Sequence, residues 1–465
     1  MKNIKKNYIY ISAIFLTSII LRLYNLNFED LWFDEIASLW VADPNISINE
    51  TVERNIEVNQ GPHLIFTIIL KYFFLIFGYN PDIARLVPVL FGILSVPTII
   101  YLTKTIDKTK AWLLIGFLIS INYYSISYSQ ELRSYSFIFF LSLLNIIFFI
   151  KILKNNNLLN NLLFYLISLL AVCNHVFIFI ILFSELLFII LFYRNNKKIF
   201  YTLGVNIFII FCSYLFLMHD SISAQFAIKE FWIVQIKIDF FIDYYFSRFF
   251  GSKIMGLVYL MTLFYLIWSN RKILINHSSK LFLFLLIMMN SYFIPITYGF
   301  INMPILTDRY IIFVLIPILI LISILIFHLN SKKTRNTILT ILILTTLVNN
   351  YIEIFERKNT KPEFKKSFLF IKDSNSLNYT LADNVIFNNK IISNYLKLVN
   401  SKNTKLRYLK NVNNPSLKKV WVICYLPVTN FSCNKPLLLN NNFVKRERKS
   451  FHLIKLILYE NLNHT

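Results

Sequence analysis

Residues 311–327 read IIFVLIPILILISILIF, a run without a single ionisable side chain. Runs of the same kind recur at 86–103 and 137–150. A segment that is apolar on all sides and nearly twenty residues long is typical of a helix that crosses a bilayer, because hydrocarbon cannot hydrogen-bond an open backbone. Of the 465 residues, 56% are hydrophobic and 15% are charged, which is too little charge to cover a soluble protein of this size. The sequence therefore predicts an all-α polytopic membrane bundle.

We predict about eleven membrane spans from the positions of these runs. The stretch 158–194 is too long for one crossing, and the polar pair Asn174-His175 is the natural place to divide it. The predicted spans are 8–24, 85–103, 111–128, 135–151, 160–174, 177–193, 199–218, 254–270, 280–299, 309–329 and 336–352.

The run Pro62–Gly78 decides the orientation, because it carries Lys71 at its centre. A lysine at the centre of a span costs about 2.5–3.5 kcal/mol, so we interpret this run as an interfacial helix whose Lys71 snorkels to the headgroups. The basic N-terminus and the short basic loops then lie in the cytoplasm, and residues 25–84 and the C-terminal part lie outside. Much of the net charge of +23 falls in those short loops, where it sets orientation and gives no indication of nucleic-acid binding. We expect an integral protein of a prokaryotic cell (inner) membrane.

The chain divides into a transmembrane domain, residues 1–352, and a small basic extracytoplasmic domain, residues 353–465. In the second, short apolar runs alternate with helix-compatible stretches, which predicts an α/β fold. The predicted strands are 384–387, 420–425 and 452–459, and the predicted helices are 362–372 and 391–399. Cys424 and Cys433 could pair if this part faces an oxidising compartment, and two unrelated thiols are the alternative.

Polar residues stand out at a few places along this apolar chain. Asp34 and Glu35 follow the first span, where a carboxylate could deprotonate a hydroxyl nucleophile, although a solvated loop is the alternative interpretation. By the same topology, three arginines that could neutralise a phosphate lie at similar depth, namely Arg85, Arg133 and Arg309. Each alone could be a snorkelling anchor, and the lone His175 could be a hydrogen bonder between helices. No Cys/His cluster of zinc-site spacing and no nucleotide-binding loop occurs in the sequence.

These stretches resemble the GT-C-type membrane glycosyltransferases, closest to the protein-mannosyltransferase and aminoarabinose-transferase group (glycosyltransferase family 39 and its relatives). The first loop, Arg22-Leu23-Tyr24 followed by Leu31-Trp32-Phe33-Asp34-Glu35, carries most of the resemblance. The remaining matching segments are Ala84–Gly92, Tyr128–Tyr135, Arg309-Tyr310 with Pro317, and Lys361–Phe364. Together they cover most of the chain in order.

The resemblance implies transfer of a sugar from a polyprenyl-phosphate carrier to an acceptor hydroxyl on the outer face, with inversion. It implies that Asp34 is the catalytic base and that Glu35 shapes the site. Glu131 and Arg133 would belong to a second active-site loop. Many relatives have His- or Lys-Pro-Pro where this chain has Gln60-Gly61-Pro62-His63, so the contact to the donor phosphate is assigned to Gln60 or His63.

The expected partners are a polyprenyl-phosphate sugar, membrane lipid and an acceptor that is a glycan, a lipid or a protein. No cofactor is expected, and a divalent metal held by carboxylates stays open. Two other functions remain alternatives: a polyprenyl-linked glycan flippase or permease, and a glycan polymerase or ligase. The candidate donor-binding and substrate-binding residues are Arg85, Glu131, Arg133, Gln60, His63, His175 and Arg309.

Overall fold

The structure is a computed structural model. It describes residues 2–59, 61–227, 233, 247–271, 274, 279–373, 379–382, 389–399, 418–426 and 442–462.

Helices make up most of the described chain. The α-helices are α1 Lys2–Leu23, α2 Phe33–Val41, α3 Ile48–Asn59, α4 Leu64–Phe77, α5 Pro81–Ala84, α6 Leu86–Ile106, α7 Ala111–Ile121, α8 Tyr123–Ser129, α9 Tyr135–Lys154, α10 Leu158–Asn174, α11 Phe179–Phe192, α12 Lys197–Leu217, α13 His219–Phe226, α14 Ser247–Phe250, α15 Lys253–Ser269, α16 Ser279–Ile301, α17 Leu315–Phe327, α18 Lys332–Phe355, α19 Phe364–Asp373 and α20 Asn389–Val399. Two 3-10 helices, Val176–Ile178 and Asp308–Val314, precede α11 and α17.

The predicted membrane bundle is confirmed. Among the described residues, six helices are long and apolar enough to cross a membrane, or seven if the bent pair α7 and α8 forms one span. Five shorter apolar helices accompany them, at Asn7–Leu23, Leu64–Phe77, Leu158–Asn174, Val176–Phe192 and Lys253–Ser269. Every predicted span coincides with one of these helices. The side of the membrane on which each loop lies stays a prediction.

Contacts between Cα atoms divide the chain into two compact units. The first consists of Met1–Tyr24, Val52–Ile68 and Leu86–Arg357, and the second consists of Asn25–Thr51, Ile69–Arg85 and Lys358–Thr465. These discontinuous units do not test the predicted domain boundary at 352/353, which stays a prediction.

In the first unit, α17 lies at the core, and all its residues from Leu315 to Ile326 are buried. The predicted single span 111–128 is bent by 54° between α7 and α8. The bend occurs at Asn122, whose side-chain oxygen accepts the N–H of Ser125 and so caps a new helix. The predicted break in 158–194 is confirmed, because α10 ends at Asn174 and His175 has extended backbone angles.

The second unit contains a four-stranded sheet and the helices α19 and α20, which confirms the predicted α/β fold of the C-terminal part. The strands are β1 Tyr379–Ala382, β2 Lys419–Tyr425, β3 Phe443–Phe451 and β4 Ile454–Asn461. Their order is β1-β2-β4-β3, with β1 parallel to β2 and the other pairs antiparallel. The predicted strand 384–387 lies outside the described residues.

Strand β3 was not predicted, because its central residues Lys445–Ser450 are exposed and mostly charged. Such a charged outer strand discourages pairing with other chains. The strand paired with it, β4, is apolar, with all residues from Leu456 to Tyr459 buried, and in β2 all residues from Val420 to Cys424 are buried. Cys424 is disulfide-bonded, and Cys433, the partner considered above, lies outside the described residues.

Lys71 corrects one prediction. Its side chain does not snorkel, since the residue is 3% exposed. The ammonium donates to the carbonyl oxygens of Asp43 and Ile46, each at 2.6 Å. Lys71 therefore satisfies backbone acceptors in the loop that follows α2, which offsets the cost of burying its charge.

Candidate functional site

The acidic first loop belongs to the second unit, and Glu35 is its most buried side chain. Glu35 is the third residue of α2, and its Oε2 atom accepts the N–H of Trp32 at 3.2 Å, which caps the start of the helix. Arg85 approaches the same carboxylate with two arms, Nε to Oε1 at 2.9 Å and Nη2 to Oε2 at 2.7 Å. The two side chains are 0% and 3% exposed. Such a pair is held by geometry that a lysine could not reproduce.

Every N–H donor of the Arg85 guanidinium has an acceptor in this position. Besides Glu35, it donates from Nη1 to the carbonyls of Leu26 and Glu29 at 3.1 and 2.8 Å, and from Nη2 to the carbonyl of Asp30 at 3.3 Å. A guanidinium has five N–H donors, and these contacts occupy all of them. We therefore assign Arg85 to holding the first loop rather than to contacting a phosphate.

Lys361 was not singled out as a site residue by the sequence, yet it reaches the same carboxylate. Its ammonium lies 3.2 Å from Glu35 Oε2 and 5.9 Å from the centre of the Trp32 ring. Glu29 then binds the backbone beside it, accepting from Thr360 N at 2.6 Å, Thr360 Oγ1 at 2.7 Å and Lys361 N at 3.2 Å. The acidic first loop thus holds a segment more than 300 residues away in sequence.

Asp30 and Asp34 complete the acidic loop. Asp30 Oδ2 accepts the N–H of Lys366 at 3.0 Å, in the first turn of α19. Asp34 is the second residue of α2 and is half-buried, at the end of the helix where the dipole favours negative charge. Burial raises the pKa of Tyr425, and the charge of Asp34 raises it further, so this tyrosine lies within electrostatic range of Asp34.

A second group of predicted residues lies in the first unit, where Asn174 connects His63 with His175. The carbonyl of Asn174 accepts the N–H of His63 at 2.8 Å, and its side-chain oxygen accepts the N–H of Phe66 at 3.2 Å. Gly61 precedes this turn with a φ of +104°, and a Cβ there would lie 2.2 Å from the Cβ of Ser221. Only glycine fits such a backbone and such a close approach.

The two imidazoles of this group face each other with ring centres 6.0 Å apart. His63 Nδ1 shares a short hydrogen bond with Ser134 Oγ. His175 Nδ1 accepts the N–H of Phe177 at 3.3 Å, so in the neutral ring the proton is assigned to Nε2. His175 also packs on Tyr310 at 4.8 Å between ring centres.

Two arginines give this site its charge. Arg133 donates to Asn59 Oδ1 at 3.2 Å, and the Arg309 guanidinium lies 6.0 and 5.7 Å from the ring centres of Tyr135 and Tyr310. Burial lowers the pKa of His63 well below its usual range, with Arg133, His175 and Arg309 adding to the effect. Burial, Arg309 and Arg133 lower the pKa of His175 to about 3. Both histidines are therefore neutral beside two cations, and this combination favours an anion.

The turn that carries Arg133 is held from the first span. The guanidinium of Arg22 is buried and donates to the carbonyls of Ile119 and Ser120 at 3.2 and 3.1 Å and to Ser125 Oγ at 2.8 Å. It thereby binds the C-terminal end of α7, where a helix leaves carbonyls without partners. Gln130 adds bonds to the carbonyls of Arg22 and Tyr24 at 3.1 and 2.8 Å.

The structure thus brings the predicted residues together in two groups. Asp34, Glu35 and Arg85 belong to the second unit. His63, His175, Arg133 and Arg309 belong to the first, where the half-buried Glu131 shares the turn with Arg133. Gln60 lies outside the described residues. Sequence reasoning missed Lys361, Asn174 and Ser134 as site residues, and only the polar break at Asn174 gave a signal.

Within the described ranges, no group of three or more His, Cys, Asp and Glu side chains is arranged to hold a metal ion. The expectation that no cofactor is needed stays a prediction.

Solved structures of known proteins share this architecture. No protein-family profile and no curated protein matches the chain. The structure of ArnT from Cupriavidus metallidurans in the apo state aligns with a TM-score of 0.63 at 8% identity, covering 98% of this chain and 98% of that one. The oligosaccharyltransferase from Archaeoglobus fulgidus, solved as a complex with zinc and sulfate, aligns with a TM-score of 0.54 at 12% identity, covering 89% of this chain and 67% of that one. Its apo form aligns with the same TM-score at 11% identity, covering 89% of this chain and 69% of that one. The chain therefore has the GT-C fold, the fold of ArnT and of the archaeal oligosaccharyltransferase.

Proposed function

We propose that the protein is a membrane glycosyltransferase that moves a sugar from a polyprenyl-phosphate carrier to an acceptor hydroxyl. The single observation that carries this proposal is the buried pair of neutral histidines beside Arg133 and Arg309, in a chain with the GT-C fold. A site with two cations and imidazole N–H groups suits a phosphate ester. ArnT is an aminoarabinose transferase, and its fold supports the same class of reaction for this chain.

In this mechanism the phosphate is the leaving group. Asp34 takes the proton of the acceptor hydroxyl while the acceptor oxygen bonds to the anomeric carbon. The bond between that carbon and the phosphate oxygen breaks at the same time, and the sugar inverts because attack and departure occur on opposite faces. Arg133 and Arg309 stabilise the charge that develops on the departing polyprenyl phosphate. The donor carries its own activating phosphate, so the reaction needs no nucleotide.

Glu35 has a supporting role in this proposal. Arg85 and Lys361 already neutralise it, and its burial leaves it no access to an acceptor. It fixes the start of α2 and with it the position of the neighbouring Asp34. In this proposal Asp34 acts on the acceptor, and Glu35 holds the helix that carries Asp34.

The extracytoplasmic face is the side that we propose for the reaction. The disulfide at Cys424 supports it, because such bonds persist in oxidising compartments. The exposed basic strand β3 supports an anionic acceptor or a lipid headgroup as neighbour.

The decisive experiment is transfer by the purified protein in detergent, with a panel of polyprenyl-phosphate sugars as donors. Wild-type protein should convert one of these donors to polyprenyl phosphate and a glycosylated acceptor. Asp34→Asn should lose nearly all of this activity while it keeps the melting temperature of the wild type. The matched control is Asp220→Asn, because this aspartate is 85% exposed. Normal transfer by Asp34→Asn would refute the role of the base, and transport of the carrier without any bond cleavage would indicate a flippase.

A further inference from the structure

Glu185 is an acidic residue in the middle of an apolar helix. It lies in α11, FIILFSELLFIILF, and it is completely buried. Neither carboxylate oxygen of Glu185 has a hydrogen-bond partner within the described residues. An ionisable residue in such a place is costly and is normally kept for a purpose.

The polar neighbour of Glu185 is Asn145 of α9, because Phe188 and Phe149, one turn further along the two helices, are in ring contact. The orientation of the Asn145 amide is fixed by Ser168 of α10. The Ser168 hydroxyl donates to the carbonyl of Phe164 at 2.6 Å, so it can only accept from Asn145, whose Nδ2 lies 2.8 Å away. The Asn145 Oδ1 atom has no donor among the described residues. Asn145 Oδ1 and both carboxyl oxygens of Glu185 are thus buried polar atoms without a hydrogen-bond partner among the described residues.

A layer of buried aromatic rings lies next to this polar cluster. Phe149, Phe164 and Phe188 are each about one turn away from Asn145, Ser168 and Glu185 along their helices, and all three are fully buried. Phe149 contacts Phe164 and Phe188 at 6.2 and 5.9 Å between ring centres. These rings close the cluster on one side to water that could solvate a charge.

Among the described residues, no charged side chain lies close enough to Glu185 to act as its counter-charge. The lysines of the neighbouring helices lie at the helix ends, namely Lys151, Lys154, Lys197, Lys198 and Lys280. A second polar link lies beside the carboxyl, because Asn290 of α16 donates to Ser184 Oγ at 3.0 Å.

We propose that Glu185 is a proton-binding site within the membrane, and that its protonated carboxyl donates to Asn145 Oδ1. One proton then satisfies two buried groups, because the carboxyl becomes neutral and the amide oxygen gains a donor. The hydrogen-bonded chain Glu185–Asn145–Ser168 links α11, α9 and α10.

This link has a consequence for the basic site of the first unit. The helix α9 begins directly after Arg133 and Ser134, α10 ends at Asn174, and His175 precedes α11. At 1.5 Å per residue, the cluster lies about 9–15 Å along these three helices from the ends that carry the basic site. The cluster of Glu185, Asn145 and Ser168 thus lies on the same three helices whose ends carry the basic site.

Infrared difference spectroscopy of wild-type protein against Glu185→Gln tests the protonation directly. The wild type should show the carbonyl stretch of a protonated carboxylic acid at neutral pH, and Glu185→Gln should lack it. Absence of this band from the difference spectrum would overturn the proposal. The proposed sugar transfer plays no part in this measurement, so either idea can fail alone.

Thermal stability provides the second measurement. Glu185→Gln keeps the shape and a donor for Asn145 Oδ1, so its melting temperature should stay within about 1 °C of wild type, whereas Glu185→Leu should fall by roughly 2–4 °C or more. The competing occupant is a monovalent cation on an ionised carboxylate. In that case sodium would raise the melting temperature of wild type above its value in choline chloride, Glu185→Gln would lose this effect, and the proposal would be wrong.

Discussion

Arg85 and Glu35 form a two-armed ion pair with nitrogen–oxygen distances of 2.9 and 2.7 Å, and both side chains are almost completely buried. A pair of this kind is not a general source of stability, since burying two charges costs nearly as much as their attraction returns. Its effect is on specificity, because removal of either partner leaves the other buried charge without its closest counter-charge. The pair therefore makes the shape of the first loop strictly dependent on both residues.

The first prediction follows from this dependence. Glu35→Gln and Arg85→Met should each lower the free energy of unfolding by about 3–5 kcal/mol, measured by denaturant titration of the purified protein. The double variant should lose much less than the sum of the two. Asp82→Asn is the control, because Asp82 pairs with Lys365 at the surface, where a pair contributes about 0–1 kcal/mol. Additive losses in the double variant would show that the two side chains act independently.

The second prediction concerns acid stability. His175 stays neutral in the folded protein down to pH about 3, whereas in the unfolded chain it takes up a proton below about pH 6.5. Stability is therefore complete above pH 6.5 and falls as the pH decreases, by about 2 kcal/mol for this histidine between pH 6.5 and 5. His63 acts in the same direction.

The measurement compares the unfolding free energies of wild type and His175→Gln across this range. The variant should show a shallower dependence on pH. The exposed His219 provides the control His219→Gln, which should keep the slope of the wild type. Equal slopes for wild type and His175→Gln would contradict the prediction.

The third prediction tests the packing beneath the Ser129–Arg133 turn. A methyl group at Gly92 would lie 2.0 Å from Ser129 Oγ, 2.7 Å from Ser129 Cβ and 3.0 Å from Arg22 Nε. Gly92→Ala should therefore destabilise by about 1–3 kcal/mol despite the better helix propensity of alanine. Gly204→Ala is the control, since nothing lies within 4 Å of its added methyl group. A thermal scan in which both variants behave alike would contradict this packing.

The fourth prediction tests the anion site and rests on the proposed function. Arg309→Gln should weaken binding of a short-chain polyprenyl phosphate about 10- to 100-fold, as expected for the loss of a charge-assisted contact of about 1.5–3 kcal/mol. Arg133→Gln should have a similar effect. Titration calorimetry in detergent provides the measurement, and the exposed Arg194 provides the control Arg194→Gln. Unchanged affinity in both site variants would remove these arginines from the phosphate site.

The helices could be predicted from the sequence because a membrane span is a local property: the apolar run itself determines it. The break at Asn174-His175 was equally visible, since two polar residues interrupt an apolar run. Lys71 was misjudged for the opposite reason. Its partners are the carbonyls of Asp43 and Ile46, and a backbone carbonyl leaves no mark in a sequence.

The site was harder to predict than the fold. Asp34 and the arginines were singled out as charged residues in an apolar chain, but their partners were not. Lys361 is 326 residues from Glu35, and no periodicity connects positions so far apart. In the same way, the sequence suggests that Arg85 binds a phosphate, whereas in the structure its five N–H donors all bind acceptors in the segment from Leu26 to Glu35.

The contact between Glu29 and Thr360 joins positions 331 residues apart. At about 5–20 residues per second, a ribosome needs roughly 15 to 70 seconds to synthesise the chain between them. During that time the segment with Asp34 lacks the backbone groups that hold it. The order of synthesis thus delays maturation of this loop until the chain has been made past Thr360, so that a chain truncated before this residue would insert into the membrane without ever becoming competent.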